Sequence, residues 1–580
     1  MRAFLRHLAL LPVLLLLSVA APRIAAGSPL VLARVPVDRS LADVPLPVLA
    51  HLRTADGTEY ALVLAPAERL ALLTRAVTLA PAASAGEFVV ARERRSGARR
   101  QAAGLAEVLF DDGRNVVARA DETQAEALAQ AGFDLLRLVD TPMVITSPTP
   151  PVRLSPAGYD WRIAAMAAQV TESAVYDIAR GLSGVEPVTV GGAPYTIQTR
   201  HTRSGTPIQM ATQLASERLT SLGLATSYHP WTYSTTTGRN VVAELPGTSR
   251  PSEIVIVCAH LDDMPSGAIA PGADDNGSGS TGVLLAARIL SGHSFERTVR
   301  FVLFTGEEQG LYGSQRYAEL LAGQGTNVVA VLNLDMISFD SGGAPSLRLH
   351  TRTTTNPGYA ADRAIADTFV SAVTSYVGTA LAPIVDPDGE SASDHSSFWS
   401  RGWPGILAIE DDVSDFTPYY HTVNDTISTL NPVYYTNFVK ASVATAAHLA
   451  VPRTLPAGFE PLTPCRLLDT RDEQRPPGLG APALGARETR AFTVATVCGV
   501  PADAAALAVN VTVTAPSASG FVTVFPATGP APNTSSVHFR QGLTRASASI
   551  VRVGPDASFR VLNSSPGTAH LLVDVVGVFR

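Results

Sequence analysis

Hydrophobic and polar positions divide the chain into regions of different period. From about residue 155 to 452, apolar runs of strand length alternate with stretches of helical spacing. EIVIVCAHLD (253–262), VRFVLFTGEE (299–308), VVAVLNLDMI (328–337) and GILAIEDD (405–412) are continuous apolar runs that end in polar residues. Between them GSGSTGVLLAARIL (277–290), LYGSQRYAELLA (311–322) and RAIADTFVSAVTSYV (363–377) read as helices, and PVYYTNFVKASVATAAHLA (432–450) closes the region as a longer one. Strands without in–out alternation are those covered on both faces, as in parallel sheets. The expected class is α/β, a mainly parallel mixed sheet with helices on both faces. Polar residues gather at the strand ends, where open α/β sheets build their sites.

The flanking regions read differently. Residues 455–580 carry LAVNVTVTA, GFVTVFPA, SASIVRVG, SFRVLN and HLLVDVVGVF, short Val- and Thr-rich runs separated by Gly, Pro, Ser and Asn. Regular short strands without helices predict an all-β, sandwich-like domain. Residues 28–152 form an N-terminal α+β segment in which 122–130 read as a helix, leading through Gly132 to a strand. That segment is either a pro-segment, helping folding or covering an active site, or an accessory domain that stays attached. It holds no metal-ligand or nucleophile cluster. The proline-rich SPTPPVRLSP after it reads as a linker to the middle domain, 153–453. At the start, MRAFLRH, an apolar run of about 14 residues and the small residues Ala25, Ala26 and Gly27 have the order of a secretory signal peptide over 1–27. The expectation is a secreted, extracellular protein. No run reaches the ~20 residues needed to span a bilayer, so stable membrane insertion is not expected.

Composition narrows the function classes. Among 580 residues the formal charge is −7 and lysine occurs once, at Lys440. A broad basic surface for nucleic acid is therefore not expected, and Schiff-base lysine chemistry has one candidate. Three cysteines cannot make a disulfide scaffold or a four-thiolate zinc site. Cys465 and Cys498 are expected to pair in an oxidising compartment, and Cys258 to be a buried apolar residue. Asp469 and Arg471 are expected to form an internal ion pair.

The strand ends hold an unusual set of imidazoles and carboxylates. HLDD presents His260 and Asp262; PGADDNGSG presents Asp274 and Asp275 before a helix; FTGEEQG presents Glu307 and Glu308; NLDM presents Asp335; and YYHT presents His421. Burying so many carboxylates together without a cation is strongly unfavourable. A mixed imidazole and carboxylate shell suits zinc, and a bridging carboxylate would hold two ions ~3.5–4 Å apart.

Taken in order, these motifs resemble the secreted di-zinc aminopeptidases, relatives of the leucyl aminopeptidases and glutamate carboxypeptidases, over about residues 200–452. The resemblance implies a zinc-exopeptidase fold and a pair of Zn2+ ions. Asp275 would bridge them, with His260 and Asp335 completing one site and Glu308 and His421 the other. It makes Glu307 the general base and Asp262 the partner of the second imidazole nitrogen of His260. It matches Tyr420 to a family tyrosine that polarises the substrate carbonyl, a packing role being the other reading. Asp274 is either a partner of the ligands or solvated in its turn. SASDHSSFW, with Asp394 and His395, resembles a family segment near the site in which the histidine is not a ligand. His201, His229, His293 and His350 fall outside the motifs and are expected on the surface or satisfied in the core. The C-terminal region, with PCRLLDTR and DVVGVF, resembles a β module found at the ends of secreted bacterial proteins.

The function so implied is a secreted metallo-exopeptidase removing N-terminal residues from peptides. The alternatives are a carboxypeptidase or dipeptidase of the same fold, for which an arginine such as Arg401 would clamp the substrate carboxylate, and a secreted non-catalytic binding protein. A glutaminyl-cyclase-like role fits less well, because that chemistry needs one zinc. Peptides are the expected partners of a monomer, with cell-surface or matrix contact through the C-terminal module and an inert spacer as its other reading.

Overall fold

A computed structural model describes residues 29–37, 46–73, 75–144, 158–453 and 458–580. The signal-peptide reading and the linker reading lie outside these residues. No helix among them is long and apolar enough to cross a membrane.

The middle region is built on an eight-stranded sheet. Its strands in chain order are β1 (Ala225–Tyr233), β2 (Thr236–Leu245), β3 (Arg250–His260), β4 (Arg297–Phe304), β5 (Asn327–Leu334), β6 (Ser346–His350), β7 (Ala382–Asp386) and β8 (Gly405–Glu410). Their spatial order is β1-β2-β4-β3-β5-β8-β6-β7. The pairs β4-β3, β3-β5, β5-β8 and β6-β7 are parallel and the other three antiparallel. The sheet is therefore mixed, with a parallel centre.

Side chains alternate between its faces, as the period of two requires. Val255, Val257 and Ala259 of β3 join one core with α1 (Gly277–Leu290), α3 (Tyr359–Tyr376) and α4 (Pro432–Ala450). Ile254, Ile256 and Cys258 of the same strand join the opposite core with Tyr317, Ala318 and Leu321 of α2 (Tyr312–Gly323). Both faces are covered, which is why β3 reads as a continuous apolar run. Cys258 is buried and unpaired.

The N-terminal stretch divides inside the segment expected as one piece. The described residues up to Glu87, with Leu138–Pro142, form one compact unit, and Phe88–Arg137 belong to the same compact unit as the described residues from Met143 onward. The first unit contains an antiparallel sheet of Val48–Arg53, Glu59–Pro66, Leu30–Pro36 and Val77–Ala82. Residues 88–137 form a second antiparallel sheet, Glu107–Asp111, Asn115–Arg119, Phe88–Glu93 and Phe133–Arg137, carrying the helix Glu122–Ala131. A capping box of Asp121 and Gln124 starts that helix, and Gly132 at φ 102° ends it, a conformation that favours glycine. Its core of Val89, Phe133 and Leu128 also takes in Met264 from the loop after β3.

The C-terminal region holds two four-stranded antiparallel sheets, of Phe459–Asp469, His570–Phe579, Ala506–Thr514 and Arg545–Arg552, and of Thr489–Thr493, Ser558–Asn563, Gly520–Pro526 and Val537–Phe539. They share one apolar core. Cys465 and Cys498 form a disulfide. Asp469 pairs with Arg471 at 2.8 Å and also with Arg466 at 3.0 Å.

Candidate metal centre

The site sits where β3, β4, β5 and β8 end. His260 is the last residue of β3. Asp275 lies in the turn before α1, where Asn276 caps the helix: its Oδ1 accepts the Gly279 N–H at 2.8 Å and its Nδ2 donates to the Leu334 carbonyl at 2.9 Å. One residue thus ties the start of α1 to the end of β5, and Asp335 follows directly. A Cβ on Gly279 would lie 2.2 Å from that same carbonyl, so the approach of α1 to β5 requires glycine there.

These elements bring the five expected ligands together. His260, Asp275 and Asp335 offer ligand atoms within 4.8 Å of one another, and so do Asp275, Glu308 and His421. Asp275 belongs to both groups. Its Oδ1 is 3.4 Å from His260 Nε2 and its Oδ2 is 3.2 Å from His421 Nε2. Glu308 Oε2 lies 2.8 Å from the same His421 nitrogen. All five are buried.

The imidazole orientations follow from the opposite ring nitrogens. His260 Nδ1 faces the backbone carbonyl of Asp262 at 3.1 Å, and His421 Nδ1 faces the carbonyl of Ala129 at 2.6 Å. A carbonyl only accepts, so each Nδ1 carries a proton, and each Nε2 faces the carboxylates as the nitrogen a metal ion would take. Asp335 is oriented by Ser393, whose Oγ donates to Oδ2 at 2.6 Å.

The donor set fits divalent cations. Asp275 Oδ2, Glu308 Oε1 and His421 Nε2 are buried and make no hydrogen bond, close as they are to one another. Converging lone pairs without shared protons are what a metal ion satisfies. With protein charges alone around it, Glu308 is pushed up to about 8 by burial and by Asp275. Burial also drives Glu307 well above the usual carboxylate range, reinforced by Asp335 and Glu308. His260 and His421 are raised despite burial, because Asp335 and Glu308 respectively face them. A divalent cation would reverse these shifts, since it favours ionised carboxylates and neutral imidazoles.

Glu307 and Glu308 diverge as adjacent residues after a strand can. Glu308 reaches His421, while Glu307 lines the small cavity that also touches His260, Asp275, Asp335 and Tyr420. The cavity is about 10 Å³, room for roughly one water.

Asp262 takes a different position from the expected one. Its carboxylate Oδ1 is 3.8 Å from His260 Nδ1, and that nitrogen donates instead to the Asp262 backbone carbonyl. The carboxylate accepts the Thr202 Oγ–H at 2.8 Å and the Glu307 and Glu308 N–H groups at 3.4 Å each, and so holds the loop that carries both glutamates. Asp274 is buried, not solvated: Ser338 donates to its Oδ1 through Oγ–H at 2.6 Å and N–H at 3.1 Å. The Tyr420 ring stacks on His421 with centroids 3.7 Å apart, and its hydroxyl donates to Asp134. His395 is buried with Nε2 at 2.7 Å from the Glu390 carbonyl, and Asp394 is buried beside it. Arg401 is not among the residues that line the cavity; Arg94 is.

Sequence reading passed over two sets of residues. Asp425, four residues after His421, accepts the backbone N–H groups of Asp274 and Asp275 at 2.9 Å each and so fixes the loop of the bridging carboxylate. Its position within HTVNDT was the available signal. Residues 88–137 supply the Ala129 carbonyl, Asp134, Arg94 and Arg95, the last donating to the Tyr420 and His421 carbonyls at 3.1 and 3.2 Å. A backbone carbonyl leaves no mark in a sequence. Of the histidines outside the motifs, His201 is buried against Glu126 at 2.7 Å, and His229 meets Asn240 at 3.0 Å. His350 is clamped between Asp388 and Asp412 at 2.9 and 3.1 Å.

Residues 240–446 match the model of peptidase family M28. Among curated proteins, "Probable leucine aminopeptidase" of Trichophyton verrucosum (strain HKI 0517) is 35% identical over 203 residues, 33% of this chain and 52% of that protein. Leucine aminopeptidase 1 of Phaeosphaeria nodorum is 31% identical over 237 residues, 38% of this chain and 57% of that protein. The chain thus spans about half the length of the curated relatives it matches. Among solved structures, the LapA aminopeptidase of Legionella pneumophila aligns with a TM-score of 0.49 and 19% identity, over 63% of this chain and 98% of that one. The matched stretch holds all five candidate ligands, from His260 to His421.

Proposed function

We propose that this chain is a secreted metallo-exopeptidase that removes N-terminal residues from peptides at the centre formed by His260, Asp275, Glu308, Asp335 and His421. The observation that carries the reading is the pair of ligand triads sharing Asp275, with an uncommitted glutamate beside them. Two zinc ions fit this donor set, His260 and Asp335 holding one, Glu308 and His421 the other, and Asp275 both. When bound, they supply Lewis-acid activation of water and of the scissile carbonyl.

The chain's own residues do the rest. Glu307 faces the cavity and takes the proton of the attacking water, then delivers it to the leaving amine. Asp262 keeps Glu307 and Glu308 apart through their backbone N–H groups. The acidic cluster attracts the free α-amine of a peptide. Tyr420 is placed at the cavity to meet the substrate carbonyl, once its hydroxyl leaves Asp134. The carboxypeptidase alternative needs a free cation for the substrate carboxylate. Arg94, the arginine that lines the cavity, is already held by Asp134 and Asp412. The test is hydrolysis of aminoacyl-anilides against their N-acetylated counterparts, with and without chelator. Zinc-restored release from free-amine substrates alone supports the reading, and equal cleavage of the blocked set overturns it.

A further inference from the structure

Residues 88–137 send three arginines toward one acidic corner beside the metal centre. Arg92 pairs with Glu390, and Arg114 pairs with Asp388 and lies 3.4 Å from Glu390. Arg94 Nη1 donates to Asp412 at 2.6 Å, and its Nη2 lies 3.7 Å from Glu390. On the middle region's side stand Asp388, Glu390 and Asp412, of which Asp388 and Asp412 share one imidazole, His350. The corner is therefore a net anionic recess that the arginines neutralise. Three guanidiniums this close repel one another: burial, with Arg94 and Arg114 alongside, pushes Arg92 down to about 9.

Arg94 differs from the other two in what surrounds it. It lines the same cavity as His260, Asp275 and Glu307, whose apolar wall is Met336, Leu407 and Ile409. Its guanidinium carbon lies 5.8 Å from the centre of the Phe416 ring, and its side chain is 5% exposed. A long aliphatic stem with a cationic end, apolar walls along the stem and carboxylates at the tip is the arrangement that selects an arginine or lysine side chain. The tip is filled by the chain's own residue, and the cavity left beside the ligands holds roughly one water.

We propose that Asp412 and Glu390 are the end of a substrate subsite for a cationic side chain, and that Arg94 occupies it in place of the substrate. The inference rests on the peptidase reading and names its substrate class: peptides with arginine or lysine at the N-terminal position. It also makes 88–137 a self-blocking segment, which a substrate enters only by displacing Arg94.

The test uses the full chain after chelation, so binding is read without catalysis. Arg94→Ala should bind L-argininamide at least tenfold more tightly than L-leucinamide by calorimetry, while the unmodified chain shows no such preference. Adding Asp412→Asn to Arg94→Ala should abolish the preference. Arg94→Met keeps the stem and empties only the tip; low-millimolar guanidinium should raise its melting temperature but not that of the unmodified chain. Arg94→Ala binding both amides equally, a preference indifferent to Asp412→Asn, or no guanidinium response in Arg94→Met overturns the subsite. These outcomes are independent of turnover: a zinc-loaded chain that cleaves nothing removes the peptidase reading and leaves the subsite standing, and equal amide binding does the reverse.

Discussion

Glu307 and Glu308 are chain neighbours with separate partners, and the separation is testable one residue at a time. Glu308 lies among the ligand atoms and Glu307 beside the cavity. Glu307→Gln should lower kcat by roughly 100- to 10,000-fold, the usual worth of a positioned general base, with zinc content unchanged by elemental analysis. Glu308→Gln should lose zinc instead. His350 offers a second test, away from the proposed ligands. It is buried between Asp412 and Asp388, which raise it to about 9 against the opposing effect of burial, with His395 also nearby. A folded pKa above the unfolded value of ~6.5 means stabilisation is complete below pH 6.5 and is lost as pH rises toward about 9. The shift corresponds to on the order of 3 kcal/mol. Urea unfolding between pH 6 and 10 should show a fall in stability that His350→Gln flattens; parallel profiles would refute it.

At the scale of elements, the site depends on how closely α1 approaches β5. Gly279→Ala would press a methyl group onto the Leu334 carbonyl, an overpacking cost of about 1–3 kcal/mol, and would move Asp275 relative to Asp335. A lower melting temperature together with weaker zinc affinity is expected, whereas unchanged zinc affinity would mean the loop of Asp275 is held by Asp425 alone. In the C-terminal module, the disulfide closes a separation of 33 residues. Replacing both cysteines by serine should cost about 3–4 kcal/mol in the loop-closure account, read as an earlier denaturant transition of that module with hydrolysis of small anilides unchanged. These elements were legible because their patterns are local: the strand runs, the Gly- and Ser-rich start of α1 and the alternation in 506–514 each reflect burial on known faces. β1, β6 and β7 carried weaker signals, being strands toward the sheet's edges with fewer buried positions, and the antiparallel pairs β1-β2, β2-β4 and β8-β6 that make the sheet mixed were not legible.

For the whole molecule, what the sequence could not convey is which distant segment completes the site. The ligand positions were readable since each sits in a compact motif at a strand end. The partners from 88–137 were not, because Ala129 acts through its backbone and Arg94 sits in the arginine-rich run RERR that alone reads as a solvated face. Charge pairing explains their placement: arginines from 88–137 meet carboxylates at 388, 390 and 412. The proposed chemistry stands on an Asp275-bridged pair of metal ions, and a count of bound zinc decides whether that pair forms. Chelated chain equilibrated with zinc and freed of excess should retain two ions per chain, with occupancy collapsing in Asp275→Ala because both triads lose a ligand. Retention of one ion or none by the unmodified chain, or two ions undiminished in Asp275→Ala, would contradict it.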